Sequence, residues 1–281
     1  MIYFVTPTYP RPEQTPELIR QAHTLMHVPR IHWIVADDKY KCSRHVLGIL
    51  RRSGLPYTHI ASPKPNMKKV PEWLVPRGVS NRRAALDWIR QFVTEGVIYF
   101  GDDDNTVDLE LFDEIRTTKG LSMFPVGLIK EYGVSSPVVR DGKVVGFFES
   151  WTYNRKFPVD MAGFALNVKS LNPTATMPYK VGFIENEFLK ESGFDIENIE
   201  PLANNCTKVL VWHTKTEKNT PRILKGNLKA MANSRYQNLG KLLQELQKMD
   251  VLKVTPRNGT EAAVKLYHRD RKSFLFLADM V

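Results

Sequence analysis

Three consecutive carboxylates, Asp102, Asp103 and Asp104, close the apolar run Val97-Ile98-Tyr99-Phe100-Gly101. Adjacent acids repel one another, so folding alone gives no reason to keep them together. A hard divalent cation does. Mg²⁺ and Mn²⁺ take oxygen ligands, usually one or two carboxylates completed by phosphate oxygens. Asp104 lies furthest along the turn and is the expected direct ligand, with Asp102 and Asp103 as supporting or ribose-binding groups. The bland alternative is a solvated turn that caps the next helix, because Asp and Asn favour turns and N-caps.

A metal-bound diphosphate also needs cations around the nucleotide. Arg77 and Arg82 sit in Pro-Arg-Gly-Val-Ser-Asn-Arg-Arg, ahead of the aspartate strand, and are candidates; solvated arginines would look the same. In Val-Trp-His-Thr-Lys, His213 and Lys215 follow a β-rich run and have the types to grip a diphosphate, although a lone His is more often structural. Glu185 stands in Gly-Phe-Ile-Glu-Asn-Glu. It is either a partly buried general base or an acid favoured by the dipole of a helix N-terminus.

Alternating elements must hold these groups. Ile2-Thr6, Ile31-Ala36, Tyr57-Ala61 and Val97-Phe100 read as strands; Glu17-Met26, Cys42-Ser53 and Val79-Phe92 read as helices between them. Such alternation predicts parallel strands with crossover helices, and hence a crevice at the strands' carboxyl ends. Thr6-Tyr9, Asp37-Asp38 and Asp102-Asp104 should meet there. Further on, Leu109-Arg116 is a predicted helix, and Leu121-Leu128, Val138-Arg140, Val144-Phe148, Met161-Val168 and Val209-His213 are predicted strands. Asp141-Gly142 marks a hairpin. Glu185-Glu191 and Leu239-Met249 are predicted helices, the second amphipathic.

With 281 residues the chain can bury a large core in one two-lobed domain or two small ones. Two cysteines exclude a cysteine-rich scaffold. No signal-peptide pattern opens the chain, so it reads as cytosolic or as following an anchor further upstream. The net charge of +10 points to an anionic partner. Much of that excess lies beyond Leu224, without the basic face and interleaved aromatics of a nucleic-acid binder.

Together these stretches resemble the inverting β-1,3-glucuronosyltransferases that build the proteoglycan linkage region and the HNK-1 carbohydrate epitope. The likeness runs through Val5-Thr6-Pro7-Thr8-Tyr9, His32-Trp33, Pro76-Arg77-Gly78-Val79, Ala85-Leu86-Asp87-Trp88, Val97 to Asn105, Phe157 to Ala165 and Asn205 to Lys218. It implies an α/β fold of GT-A type: a Rossmann-like nucleotide-binding half at 1–105, a mixed-sheet acceptor half at 106–221, and a basic extension at 222–281. It implies Mn²⁺ as cofactor and UDP-glucuronic acid as donor, with transfer to the 3-hydroxyl of a terminal galactose on a glycan. By position, Tyr9, Asp38, Arg77 and Arg82 would hold uridine, Asp103 the ribose, with Asp102 in support. Asp104 would hold the metal, and His213 and Lys215 the diphosphate. Glu185 would be the base, and Trp151, Arg155 and Asp160 the acceptor site. The resemblance further implies a homodimer and a Golgi-luminal domain of a type II membrane protein.

Three departures stand out. Lys215 replaces a family Arg and loses its bidentate fork. Val181 stands where some members carry an Arg for the glucuronate carboxylate, leaving Lys180 to take that part. Ser135 replaces an acceptor-binding Glu. Residues 222–281 match no part of the family. The competing readings are a GT-A transferase with another UDP-sugar or a non-galactose acceptor, a catalytically dead sugar-binding relative, and a nucleotidyl transferase. The last lacks a second acid cluster for a two-metal site.

Overall fold

A computed structural model describes residues 1–11, 13–67, 71, 75–214, 222–248, 252–268 and 271–280. The chain divides into two compact units, Met1–Lys119 with Ala165–Gly193, and Gly120–Phe164 with Phe194–Val281. The first cut therefore falls at 119 rather than 105, and residues 222–281 do not stand apart. Glu185, expected in the acceptor half, belongs to the first unit.

The chain opens with β1 (Ile2–Thr8), α1 (Gln14–Leu25), β2 (Ile31–Asp37), α2 (Arg44–Ser53), β3 (Tyr57–Ala61), α3 (Val79–Phe92) and β4 (Val97–Phe100). A short β5 (Asn105–Val107) and α4 (Leu109–Ile115), capped by Asp108, follow. Next come β6 (Leu121–Met123), β7 (Val126–Ile129), β8 (Gly133–Arg140), β9 (Lys143–Phe148), β10 (Phe164–Asn167) and α5 (Ile184–Glu191). The remainder is β11 (Ile199–Pro201), the short turn α6 (Leu202–Cys206), β12 (Val211–His213), β13 (Ile223–Lys225), α7 (Leu228–Ala232), α8 (Gln237–Lys248), β14 (Lys253–Thr255), β15 (Ala263–His268) and β16 (Arg271–Phe276).

In the first unit the strands lie in the order β10-β4-β1-β2-β3. β1 pairs in parallel with both β2 and β4, β3 extends β2, and β10 is antiparallel to β4. The chain steps outward from β1 to β3, then returns to the other side of β1 as β4. Ligand crevices open at such a reversal of strand order, because the flanking crossovers diverge there. β4 is buried along its whole length, as a central parallel strand must be. Gly101 follows it because a Cβ there would collide with the Phe4 ring.

The second unit carries β16-β15-β9-β8-β7-β12, antiparallel except for the parallel β7/β12 pair. The expected strand Leu121-Leu128 is two strands, β6 and β7. Pro125, with no backbone donor, sits at the break. The expected strand Met161-Val168 begins instead as a 3₁₀ turn over Met161–Gly163, capped by Asp160, and becomes extended only at Phe164.

The tail is part of this unit's core. Leu239, Leu242, Leu243 and Leu246 of α8 are buried with Val134, Val138 and Phe148 of the sheet, together with Leu224, Val264 and Leu266. β8 changes register against β9 at Val138/Val139. There the Asn238 side chain of α8 accepts from the Val139 N–H (3.1 Å) and donates to the Pro137 carbonyl (3.4 Å). A buried irregular backbone needs such partners. Met249, expected to end this helix, lies outside the described residues.

Candidate active site

A cavity of about 140 Å³ opens at the carboxyl edge of the first unit's sheet. Thr8, Tyr9 and Arg11 come from the end of β1, Asp38 from β2, Arg77 and Arg82 from the start of α3, and Asp102, Asp103 and Asp104 from the end of β4. The expected convergence is therefore present. Gly78, whose φ is +77°, turns the chain between Arg77 and α3.

Each acid has a different environment. Asp102 receives the Arg82 guanidinium. Asp103 accepts from Thr8 Oγ1 at 2.6 Å and from Arg11 through both oxygens, at 2.7 and 2.8 Å. A ribose hydroxyl could reach Asp103 only by joining or displacing this bidentate pair. Asp104 is half-buried and accepts from Asn105 Nδ2 at 3.3 Å. Asp102 and Asp104 are both half-buried beside the cavity, whereas Asp103 is buried.

The composition of the site fits a hard cation held partly by substrate. Carboxylate oxygens are the right donors for Mn²⁺ or Mg²⁺. Among the described residues no group of three or more His, Cys, Asp or Glu side chains forms a closed protein cage. Phosphate oxygens and water would have to complete the shell, as is usual for these ions. Asp104 would be the contributing side chain.

Arg11 is the residue that sequence reasoning missed. It also pairs with Glu17, and its guanidinium lies 4.5 Å from the Tyr9 ring centroid; that of Arg77 lies 4.3 Å from it. Burial alone would lower the Arg11 pKa, but the hydrogen bonds and charge of Asp103, with Glu17 and Tyr9 adding, raise it. Burial raises the Glu17 carboxyl against the opposing pull of Arg11, so desolvation wins over the ion pair there. An Arg two residues after Tyr9, beside three clustered acids, was the available signal.

Glu185 and Lys180 also belong to this unit. Glu185 stands half-buried in the first turn of α5, ahead of the fully buried Asn186 and Phe188. Lys180 is exposed, with its ammonium 3.9 Å from the Phe183 ring centroid. The predicted helix boundary there is right to within one residue.

The other expected residues lie in the second unit. His213 Nδ1 and Asp160 Oδ2 are 3.3 Å apart, so residues assigned to donor and acceptor form one pair. Asp160 also caps the 3₁₀ turn through the Ala162 N–H. Trp151 is exposed (46%), as is neighbouring Tyr153. Arg155 is only 5% exposed, and its guanidinium donates to the Trp151 and Val159 carbonyls at 3.2 and 3.0 Å. It binds the loop to itself rather than presenting its charge to solvent. Lys215 lies outside the described residues. Buried Glu149, at the loop's start, was not anticipated; it is hydrogen-bonded to Ser135 and Ser150, and burial pushes its pKa up against them and Arg155.

Comparison with known proteins fixes the class. A crystal structure of S. aureus TarS 1-349 in complex with UDP-GlcNAc matches with a TM-score of 0.51 at 17% identity, over 78% of this chain and 59% of that one. At that identity the likeness speaks for the fold alone, which is that of a GT-A glycosyltransferase. The model of glycosyltransferase family 43 matches residues 21–217, more than half of the chain, which therefore belongs to this family. Galactosylgalactosylxylosylprotein 3-beta-glucuronosyltransferase S of Drosophila melanogaster is 52% identical over 96% of this chain, and the P enzyme of the same fly is 43% identical over 91%. The chain spans 66% and 52% of those two relatives' lengths. Galactosylgalactosylxylosylprotein 3-beta-glucuronosyltransferase 2 of Rattus norvegicus is 46% identical over 77% of the chain. An alignment over 96% necessarily takes in most of residues 222–281, so the tail does have a counterpart in the family.

Proposed function

We propose that this chain is the catalytic part of a metal-dependent inverting glycosyltransferase. It moves glucuronate from UDP-glucuronic acid to the 3-hydroxyl of a terminal galactose on a glycan, forming a β-1,3 linkage. The family and the names of its relatives support the reaction class. The observation that carries the reading is the cavity at the reversal of strand order, which Tyr9, Asp38, Arg77, Arg82 and Asp104 line together.

In this reading the Tyr9 ring and the arginines hold the uridine, and Asp38, Asp102 and Asp103 shape the ribose pocket. Because Arg11 and Arg77 already lie over the Tyr9 ring, a base that stacks there exchanges places with one of them. Mn²⁺, when bound at Asp104, supplies charge stabilisation for the departing UDP. Glu185 takes the proton of the acceptor hydroxyl as that oxygen attacks the anomeric carbon opposite the leaving group. Positioned bases of this kind contribute about 10²–10⁴ in rate. By the resemblance, His213 and Lys215 would bind the diphosphate, Lys180 the sugar carboxylate and Trp151 the acceptor, while Arg155 and Asp160 hold the loop through its own backbone. On the resemblance alone, the chain acts as a homodimer in the Golgi lumen, behind a type II anchor.

The test is UDP release from a panel of UDP-sugars with a galactose-terminated acceptor, with and without Mn²⁺. Glucuronate transfer that needs Mn²⁺ and gives a β-1,3 product is expected. Preference for another UDP-sugar, or release that ignores the metal, overturns the reading.

A further inference from the structure

The residues 149–160 form a loop between β9 and the turn at Met161–Gly163, and two of its aromatic rings, Trp151 and Tyr153, face solvent. A loop with so much exposed apolar surface must be held from behind if its rings are to keep one orientation. Part of that support is internal: Arg155 donates its backbone N–H to the Thr152 carbonyl (3.2 Å) and its guanidinium to Trp151 and Val159. The rest comes from the far end of the chain.

β15 lies antiparallel to β9, with Lys265 opposite Phe147. The two strands approach so closely at Gly146 that a Cβ there would sit 2.5 Å from the Lys265 carbonyl oxygen. Alternate residues of a strand share a face, which puts Lys265 and Tyr267 on one side of β15. Lys265 is 2% exposed, and its ammonium donates to the Thr152 and Arg155 carbonyls at 2.8 and 2.6 Å. Tyr267 Oη donates to the same Arg155 carbonyl at 2.7 Å, while its ring packs edge-on against Phe147. Burying an ammonium is costly unless hydrogen bonds replace its water, and here two main-chain carbonyls of the loop supply them. Nothing in the reaction proposed above uses this cation.

We propose that Lys265 and Tyr267 are positioning residues for the acceptor: together they clamp the carbonyls of Thr152 and Arg155, and so set the presentation of Trp151 and Tyr153. The inference rests on the acceptor role read for this loop. It gives the basic tail a part in specificity rather than in binding a polyanion.

The experiment uses the full chain with Lys265→Met and Tyr267→Phe, which keep side-chain bulk and remove donors. Acceptor KM should rise about tenfold in Lys265→Met and about threefold in Tyr267→Phe. Turnover at saturating acceptor and the Kd for UDP with Mn²⁺ should stay at wild-type values. Trypsin cleavage after Lys156 should quicken in both, and this readout needs no activity. An unchanged acceptor KM and cleavage rate in folded variants overturns the proposal. So does a parallel fall in turnover and UDP affinity, the mark of a general structural defect. If Lys265→Met fails to fold, Tyr267→Phe decides alone. A wild-type chain that transfers no glucuronate, with faster loop cleavage in the variants, sinks the reaction but leaves the clamp standing.

Discussion

The crevice of the first unit and the loop at 149–160 of the second solve the same problem by different means. In the crevice, functional side chains leave the ends of buried parallel strands, so the backbone ladder itself fixes their origins. Their charges then neutralise one another within the site: Arg82 with Asp102, and Arg11 with Asp103 and Glu17. The loop has no such ladder. Its carbonyls are tied by Arg155 from inside and by Lys265 and Tyr267 from a strand more than a hundred residues away. Rigid elements give a site that tolerates chemical variation in its surroundings. A clamped loop gives one whose selectivity is set by residues that never touch substrate.

This contrast sets the order of expected effects. Glu185→Gln, on the first unit, should cut transfer by about 10²–10⁴ while UDP binding persists; retention of most activity would remove Glu185 as the base. Next comes Arg11→Met, which strands Asp103 and Glu17 in a mostly buried place. Breaking such a pair costs roughly 3 kcal/mol, to be read from the urea midpoint. A loss below about 0.5 kcal/mol would mean that the crevice does not depend on internal charge balance. Trp151→Ala, on the loop, should raise acceptor KM about tenfold with the UDP Kd unchanged, and a change in UDP affinity instead would erase the distinction between the two regions.

The smallest effect concerns the loop's root. Burial raises the Glu149 carboxyl above its ordinary 4.5. The folded-state pKa then exceeds the unfolded one, so its stabilising contribution is complete below about pH 4.5 and is lost as pH rises through the folded value. Glu149→Gln removes that loss. Tm should rise at pH 7.5, with little difference from wild type at pH 4. An equal shift at both values would contradict the burial argument.

The two regions also differ in how far the amino-acid pattern reveals them. The alternation of apolar runs and amphipathic segments up to Phe100 was sufficient to bring Tyr9, Asp38, Arg77, Arg82 and the aspartates to one edge, because a parallel sheet leaves few other arrangements. Arg11 went unread because it follows prolines in a turn, where no period marks which way a side chain points. Further on, pattern reading weakens. Leu121-Leu128 is one apolar run, yet Pro125 divides it between two sheets. Arg155 looks like a substrate-facing cation, but its partners are carbonyls of its own loop. The partnership of Lys265 with Thr152 depends on β15 docking against β9, a pairing of high sequence separation that no local period encodes. The tail's excess charge is plain in its composition, whereas the burial of its leucines against β8 and β9 is not, because an amphipathic period shows a face but not its partner.

At the centre of this account stands Asp104 as the side chain through which a metal ties a nucleotide diphosphate to the end of β4. Calorimetric titration of UDP into wild-type protein and Asp104→Ala, each with and without Mn²⁺, tests it most directly. Binding by the wild type that strengthens with Mn²⁺, and a variant whose residual binding ignores the metal, is the predicted result. Equal Mn²⁺ dependence in the two proteins would contradict it.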